Sequence, residues 1–82
     1  MQLEILTPEK KVFEGEVTIV TFPGVNGSFQ VMDNHAPLIS LLNEGVVEYK
    51  SNKDTSAKVR ILGGVVEVLN NKVIVLATGI AA

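Results

Sequence analysis

Ala57-Lys-Val-Arg-Ile-Leu-Gly-Gly-Val-Val-Glu-Val-Leu-Asn-Asn-Lys-Val-Ile-Val-Leu-Ala-Thr78 is the stretch whose pattern decides the fold. Ala57, Val59 and Ile61 alternate with Lys58 and Arg60. A period of two puts the apolar set on one face of a strand and the charges on the other. Gly63-Gly64 ends that run. Val65 to Leu69 and Lys72 to Thr78 then flank Asn70-Asn71. Asparagine tolerates the positive φ that a two-residue type I′ turn requires, so this pair predicts a hairpin.

Upstream the same grammar repeats. Leu3 and Ile5 alternate with Gln2 and Glu4, and Thr7-Pro8-Glu9-Lys10 reads as a turn in which the chain reverses. Glu16 to Phe22 reads as a second strand, with Val17 and Ile19 on one face and Val20 and Phe22 on the other, as for a strand buried on both sides. Pro23-Gly24-Val25-Asn26-Gly27 breaks it. Strands follow from about Ser28 to Met32 and from Pro37 to Leu42, and Asn43-Glu44-Gly45 is a hairpin-length loop before a strand from Val46 to Lys50. Ser51 to Ser56 is the most polar stretch and reads as a solvated loop. No window sustains a 3.6-residue period, so the expected fold is all-β, a small antiparallel sandwich of two packed sheets.

Size and charge exclude much. Eighty-two residues support one domain, spanning 1–82, and a chain of this size buries only about 60% of its unfolded surface. There is no cysteine, hence neither disulfide nor thiolate metal site. The N-terminal residues lack the basic and apolar segments of a secretory signal, and no apolar run reaches the roughly 18 residues of a membrane-spanning helix. The net charge is -2 and the seven basic residues are scattered, which leaves no footprint for nucleic acid. Yet 46% of the residues are hydrophobic. That is more than so small a core easily hides, and it predicts a partner surface.

Catalytic chemistry finds little to work with. His35 is the only histidine, Asp33 stands two residues away, and Ser28 or Ser40 would have to act as nucleophile. No Gly-x-Ser-x-Gly elbow supports such a triad. One histidine without cysteines or clustered carboxylates makes no metal site. Gly24-Val-Asn-Gly27 is too short to cradle a phosphate and leads into a strand rather than a helix. The expectation is a chain without cofactor or catalytic step. His35-Ala36-Pro37 either satisfies its imidazole on a turn carbonyl or presents it to a partner.

Three blocks in order decide between classes of function. Thr7-Pro8-Glu9-Lys10-Lys11-Val12-Phe13-Glu14-Gly15, then Gly27 with His35-Ala36-Pro37-Leu38 and Gly45, then Ile61-Leu62-Gly63-Gly64-Val65-Val66-Glu67-Val68 with Val73 to Ala77, resemble the β-domain of the epsilon subunits of F-type ATP synthase. The resemblance covers almost the whole chain. It differs at Asp33-Asn34, where relatives commonly carry Pro-Gly, and Asn34 is expected to hold the same left-handed turn. It differs also in stopping at Ala82, where many relatives continue into a C-terminal helical pair, so a short form holding the sandwich alone is expected.

What the resemblance implies is a non-catalytic rotor subunit of the central stalk, coupling proton-driven rotation of the c-ring to ATP synthesis in the head. By the same resemblance Met32, His35 and Leu38 face the gamma subunit, and Asn26, Ser28 and Phe29 face the c-ring. The complex would lie at the cytoplasmic face of the bacterial inner membrane, with the subunit peripheral. The reading of another class is a small all-β carrier or adaptor. A carrier needs a modifiable lysine at a tight hairpin tip, and the nearest, Lys53, stands in a longer and more polar loop.

Overall fold

Nine strands follow one another in a computed structural model that describes residues 1–51 and 55–81. They are β1 (Gln2–Leu6), β2 (Lys11–Glu16), β3 (Ile19–Gly24), β4 (Gly27–Met32), β5 (Leu38–Leu42), β6 (Gly45–Lys50), β7 (Ser56–Ile61), β8 (Gly64–Leu69) and β9 (Lys72–Ala77). The described residues contain no helix. The hydrogen-bonded order is β2-β1-β9-β8-β5-β3-β6-β7, with β4 on the free side of β3. A single residue pair, Gly24 with Leu42, joins β5 to β3. At that corner the sheet divides into a five-stranded layer, β2-β1-β9-β8-β5, and a four-stranded layer, β4-β3-β6-β7. All pairs are antiparallel except β1 with β9.

Register shows why the layers close on each other. In the five-stranded layer Val66, Val75 and Ile5 lie side by side across β8, β9 and β1, as do Val68, Val73 and Leu3. All six are at most 2% exposed. The other layer contributes Val20, Phe22, Val31, Val47 and Ile61, each fully buried, to the same core. Phe22 meets Phe29 with ring centroids 5.5 Å apart, and Phe13 meets Tyr49 at 4.4 Å across the layers. Among the described residues the buried side chains are hydrophobic, Tyr49 being the one with a hydroxyl.

The expected hairpin at Asn70-Asn71 is present, with φ of 52° and 62°. The alternation of β7 holds, its Lys58 and Arg60 exposed and Ile61 buried. The reversal after β1 is also found, since β1 and β2 pair antiparallel.

Four expectations are corrected. The run Glu16 to Phe22 is not one strand. Glu16 ends β2, Val17-Thr18 carry the chain across, and β3 starts at Ile19. β2 carries no period-two signal in the sequence because it is a charged edge strand, with Lys11, Glu14 and Glu16 exposed and Val12 and Phe13 adjacent rather than alternating. Nor is β3 buried on both faces: Val20 and Phe22 point inward, while Ile19 and Thr21 are only partly covered. Pro23 and Gly24 belong to β3, and the turn is Val25-Asn26 alone. Finally, β5 and β6 do not pair, so Asn43-Glu44 form not a hairpin but the corner between layers. Loop length cannot tell these apart, because partner choice is set by packing.

Candidate functional site

β4 is an edge strand of six residues, and the two candidate surfaces lie at its two ends. At about 3.3 Å per residue those ends stand roughly 17 Å apart. At the first end Asn26 and Ser28 are exposed. The turn there is held to β5 by the Val25 amide donating to the Leu41 carbonyl at 3.1 Å, and the Asn43 amide donates to the Pro23 carbonyl at 2.8 Å. Phe29 is half-buried and packs on the core through Phe22, so only part of it is available.

At the other end the Met32–Leu38 connection crosses from one layer to the other, since Met32 pairs with Ile19 and Leu38 with Val68. Met32 is 56% exposed. Leu38 is half-buried against the core. Asn34 takes a φ of 61°, the left-handed turn expected of it. Its amide donates to Asn71 Oδ1 at 2.8 Å, and the His35 amide donates to the Met32 carbonyl at 3.1 Å.

The His35 ring is half-buried, and its Nδ1 lies 2.7 Å from the Ala36 carbonyl. A carbonyl only accepts, so Nδ1 carries the proton and donates, which leaves Nε2 as an acceptor in the neutral ring. His35 is thus both satisfied on its own loop and able to receive one further hydrogen bond.

The amino terminus meets this loop. The Met1 α-ammonium donates to Asp33 Oδ1 at 2.6 Å, to Glu16 Oε2 at 3.4 Å and to the Val17 carbonyl at 3.1 Å. Hydrogen bonding to Asp33 holds its pKa above the ordinary 8.0, against an opposing effect of burial.

A larger surface was missed by sequence reasoning. On the outer face of the five-stranded layer, Leu41, Val65, Leu76 and Leu6 lie in register across β5, β8, β9 and β1. The next row is Ile39, Glu67, Ile74 and Glu4. Ile39 is 73% exposed, Leu41 63% and Leu76 51%. A shallow groove lined by Pro37, Ile39, Glu67 and Leu69 leads from this face to the His35 loop. The apolar surplus in composition signalled such a face; both parities of Leu38-Ile39-Ser40-Leu41-Leu42 being apolar was the local sign of where it lies.

No group of three or more potential metal ligands occurs among the described residues. Gly24 to Gly27 is a tight hairpin end and not a loop around an anion. Lys53, the residue on which a carrier reading turns, lies outside the described residues.

A family model described as ATP synthase, Delta/Epsilon chain, beta-sandwich domain matches residues 1–82. The ATP synthase epsilon chain of Pelotomaculum thermopropionicum is 46% identical over 76 residues, which are 93% of this chain and 56% of that one. The epsilon chain of Chlorobium limicola is 41% identical over 80 residues, covering 98% and 91% of the two chains. A chain in the Euglena gracilis mitochondrial ATP synthase, solved as OSCP/F1/c-ring in rotational state 1, superposes with a TM-score of 0.90 at 18% identity. That match covers 96% of this chain and 51% of the other, and at such identity it speaks for the fold alone.

Proposed function

This chain belongs to the family of ATP synthase Delta/Epsilon β-sandwich domains, and from that premise we propose that it is a non-catalytic central-stalk subunit of a rotary ATP synthase. In this reading it binds gamma on one side and the c-ring on another, and couples proton-driven rotation to ATP synthesis. Its place is then peripheral, at the cytoplasmic face of the bacterial inner membrane.

The exposed apolar face of the five-stranded layer carries the proposal. Water-facing Ile39, Leu41 and Leu76 form one contiguous field rather than scattered side chains, and such a field marks a docking surface. Gamma is assigned to it together with Met32, His35 and Leu38, which the groove at Pro37 and Ile39 joins to it. The c-ring is assigned to Asn26, Ser28 and the uncovered part of Phe29, whose polar character suits a wetter contact. A torque-bearing joint needs a stiff body held over a broad area, and two cross-braced layers supply it.

Mixing the chain with purified gamma subunit tests the assignment. A stable one-to-one complex by size exclusion is expected, and none at micromolar concentration would overturn it. Within that complex His35→Ala is expected to weaken binding by about 1–2 kcal/mol, the range of one interface contact. The isolated chain should lose less than about 1 kcal/mol, since the loop hydrogen bond to Ala36 is exposed. Unchanged affinity with a clear fall in melting temperature would confine His35 to its loop.

A further inference from the structure

We propose that β4 is a self-recognition edge, on which a second copy of this chain docks by pairing its own β4 antiparallel about a two-fold axis at Gln30. Three strands have a single strand neighbour, β2, β4 and β7. An open edge invites another chain, and proteins blunt it with charge or cover it. β2 is blunted, with Lys11, Glu14 and Glu16 exposed along it. β7 carries exposed Lys58 and Arg60, and its end is covered, since the Ala81 amide donates to the Arg60 carbonyl at 2.9 Å and the Leu62 amide to the Gly79 carbonyl at 3.0 Å. β4, Gly27-Ser-Phe-Gln-Val-Met32, has no charged residue, no proline and no such cover among the described residues.

Register shows which backbone groups this edge presents. Ser28 lies opposite Pro23, which has no N–H and whose carbonyl is taken by the Asn43 amide. Ser28 and Pro23 are therefore a non-bonded pair. In an antiparallel ladder bonded and non-bonded pairs alternate, so Phe29 and Val31 bond to β3 while Ser28, Gln30 and Met32 turn their N–H and C=O groups outward. A second β4 running the other way, with Gln30 opposite Gln30, sets Ser28 of each copy opposite Met32 of the other. Every outward donor then faces an outward acceptor. The Met32 carbonyl already accepts from the His35 amide at 3.1 Å, and its second lone pair is left for Ser28.

Side chains fit the same register. Ser28, Gln30 and Met32 are exposed on the outer face, so the two Gln30 amides stand side by side and Met32, 56% exposed, lies beside the small Ser28. On the inner face the uncovered part of Phe29 comes against Val31 of the second copy, which carries the core across the axis. No like charges meet along the strand. An uncharged edge also offers no cross-strand ion pair to an acidic or basic segment, which favours the equally uncharged β4 of a second copy as occupant. Ser28, Phe29 and Met32 are residues given above to the stalk partners, so a self-paired copy is withheld from the stalk. The pairing itself stands whether or not that assignment does.

Sedimentation equilibrium of the chain tests it. One strand pair buries less than a standard interface, so a dimer with a dissociation constant on the order of 100 µM is expected. On concentration, amide shifts should move at residues 28–32 and stay still on β2 and β7. Gln30→Lys alone and Gln30→Glu alone are each expected to weaken association at least about tenfold, because like charges then meet on the axis. An equimolar mixture of the two should recover the association of the parent, as a one-to-one pair. Both variants stay net negative, at -1 (-2 + 1) and -3 (-2 - 1), so general attraction does not account for that recovery. A parent chain still monomeric at about 1 mM would overturn the proposal. So would variants that associate as the parent does, or shifts centred on Ile39 and Leu41, which would place self-association on the apolar face. Amides of Ser28 and Gln30 that move only when gamma is added would give the edge to another chain and overturn it equally.

Discussion

Replacing Gly64 with alanine is expected to cost about 3–5 kcal/mol and to lower the melting temperature by more than about 12 °C. A Cβ built at Gly64 stands 2.2 Å from the Leu76 carbonyl oxygen and 2.9 Å from the Ala77 Cα, both backbone atoms. Neither can step aside, because Leu76 pairs with Val65 on one side and Leu6 on the other, in the middle of the five-stranded layer. The φ of 152° adds strain that only glycine avoids. Gly63 supplies the control. Its φ is 132°, yet an added Cβ would meet nothing closer than 3.5 Å, so Gly63→Ala carries the strain without the clash and should cost about 1–2 kcal/mol. Denaturant midpoints of the two variants separate the effects. Equal losses would mean that close approach of β8 to β9 is not what fixes glycine there.

The glycine pair also shows how far a sequence can be read. Gly63-Gly64 is visible as the end of a strand, because glycine interrupts a run of β-branched residues wherever it stands. That Gly64 opens the next strand, against a carbonyl of β9, is a fact of three dimensions. Local signals in this chain are sound where one residue's own conformation decides: Asn70-Asn71 and Asn34 adopt the positive φ their type allows. They fail where pairing decides. β2 gives no alternating signal because its half-buried Val12 and Phe13 are adjacent in sequence, and Asn43-Glu44 has the length of a hairpin because a corner between layers uses the same length of chain.

The candidate site divides the same way. His35 stands out as a lone histidine before Ala36-Pro37, and the structure gives it a turn carbonyl on one nitrogen and a free acceptor on the other. The outer apolar face has only a faint local sign, the apolar residues on both parities of Leu38 to Leu42. Leu6 joins Val65 and Leu76 only through the parallel pairing of β1 with β9, a pairing between the two ends of the described chain. Met1 and Asp33 meet across 32 positions, beyond any local pattern.

Ile39→Lys combined with Leu41→Lys is expected to weaken gamma binding about 100-fold or more while leaving the isolated chain within about 1 kcal/mol of its original stability. Burying an exposed Ile or Leu on docking contributes about 1.5–3 kcal/mol each, so two such losses span at least two factors of ten. The chain itself loses little, because Ile39 is 73% and Leu41 63% exposed and surface exchanges outside special positions cost little. Lysine is chosen for position 39 because Glu67 lies opposite it on β8, which offers the new charge a cross-strand partner. Aspartate there would set like charges side by side and confuse folding with binding. The substitutions also raise the formal net charge from -2 to zero, so affinity should be compared at high salt as well as low, where a general charge effect fades and the loss of apolar contact does not. Full affinity in the double variant would remove the apolar face from the gamma interface and leave the loop at Met32 and His35 to carry the joint alone, a contact too small for a torque-bearing stalk.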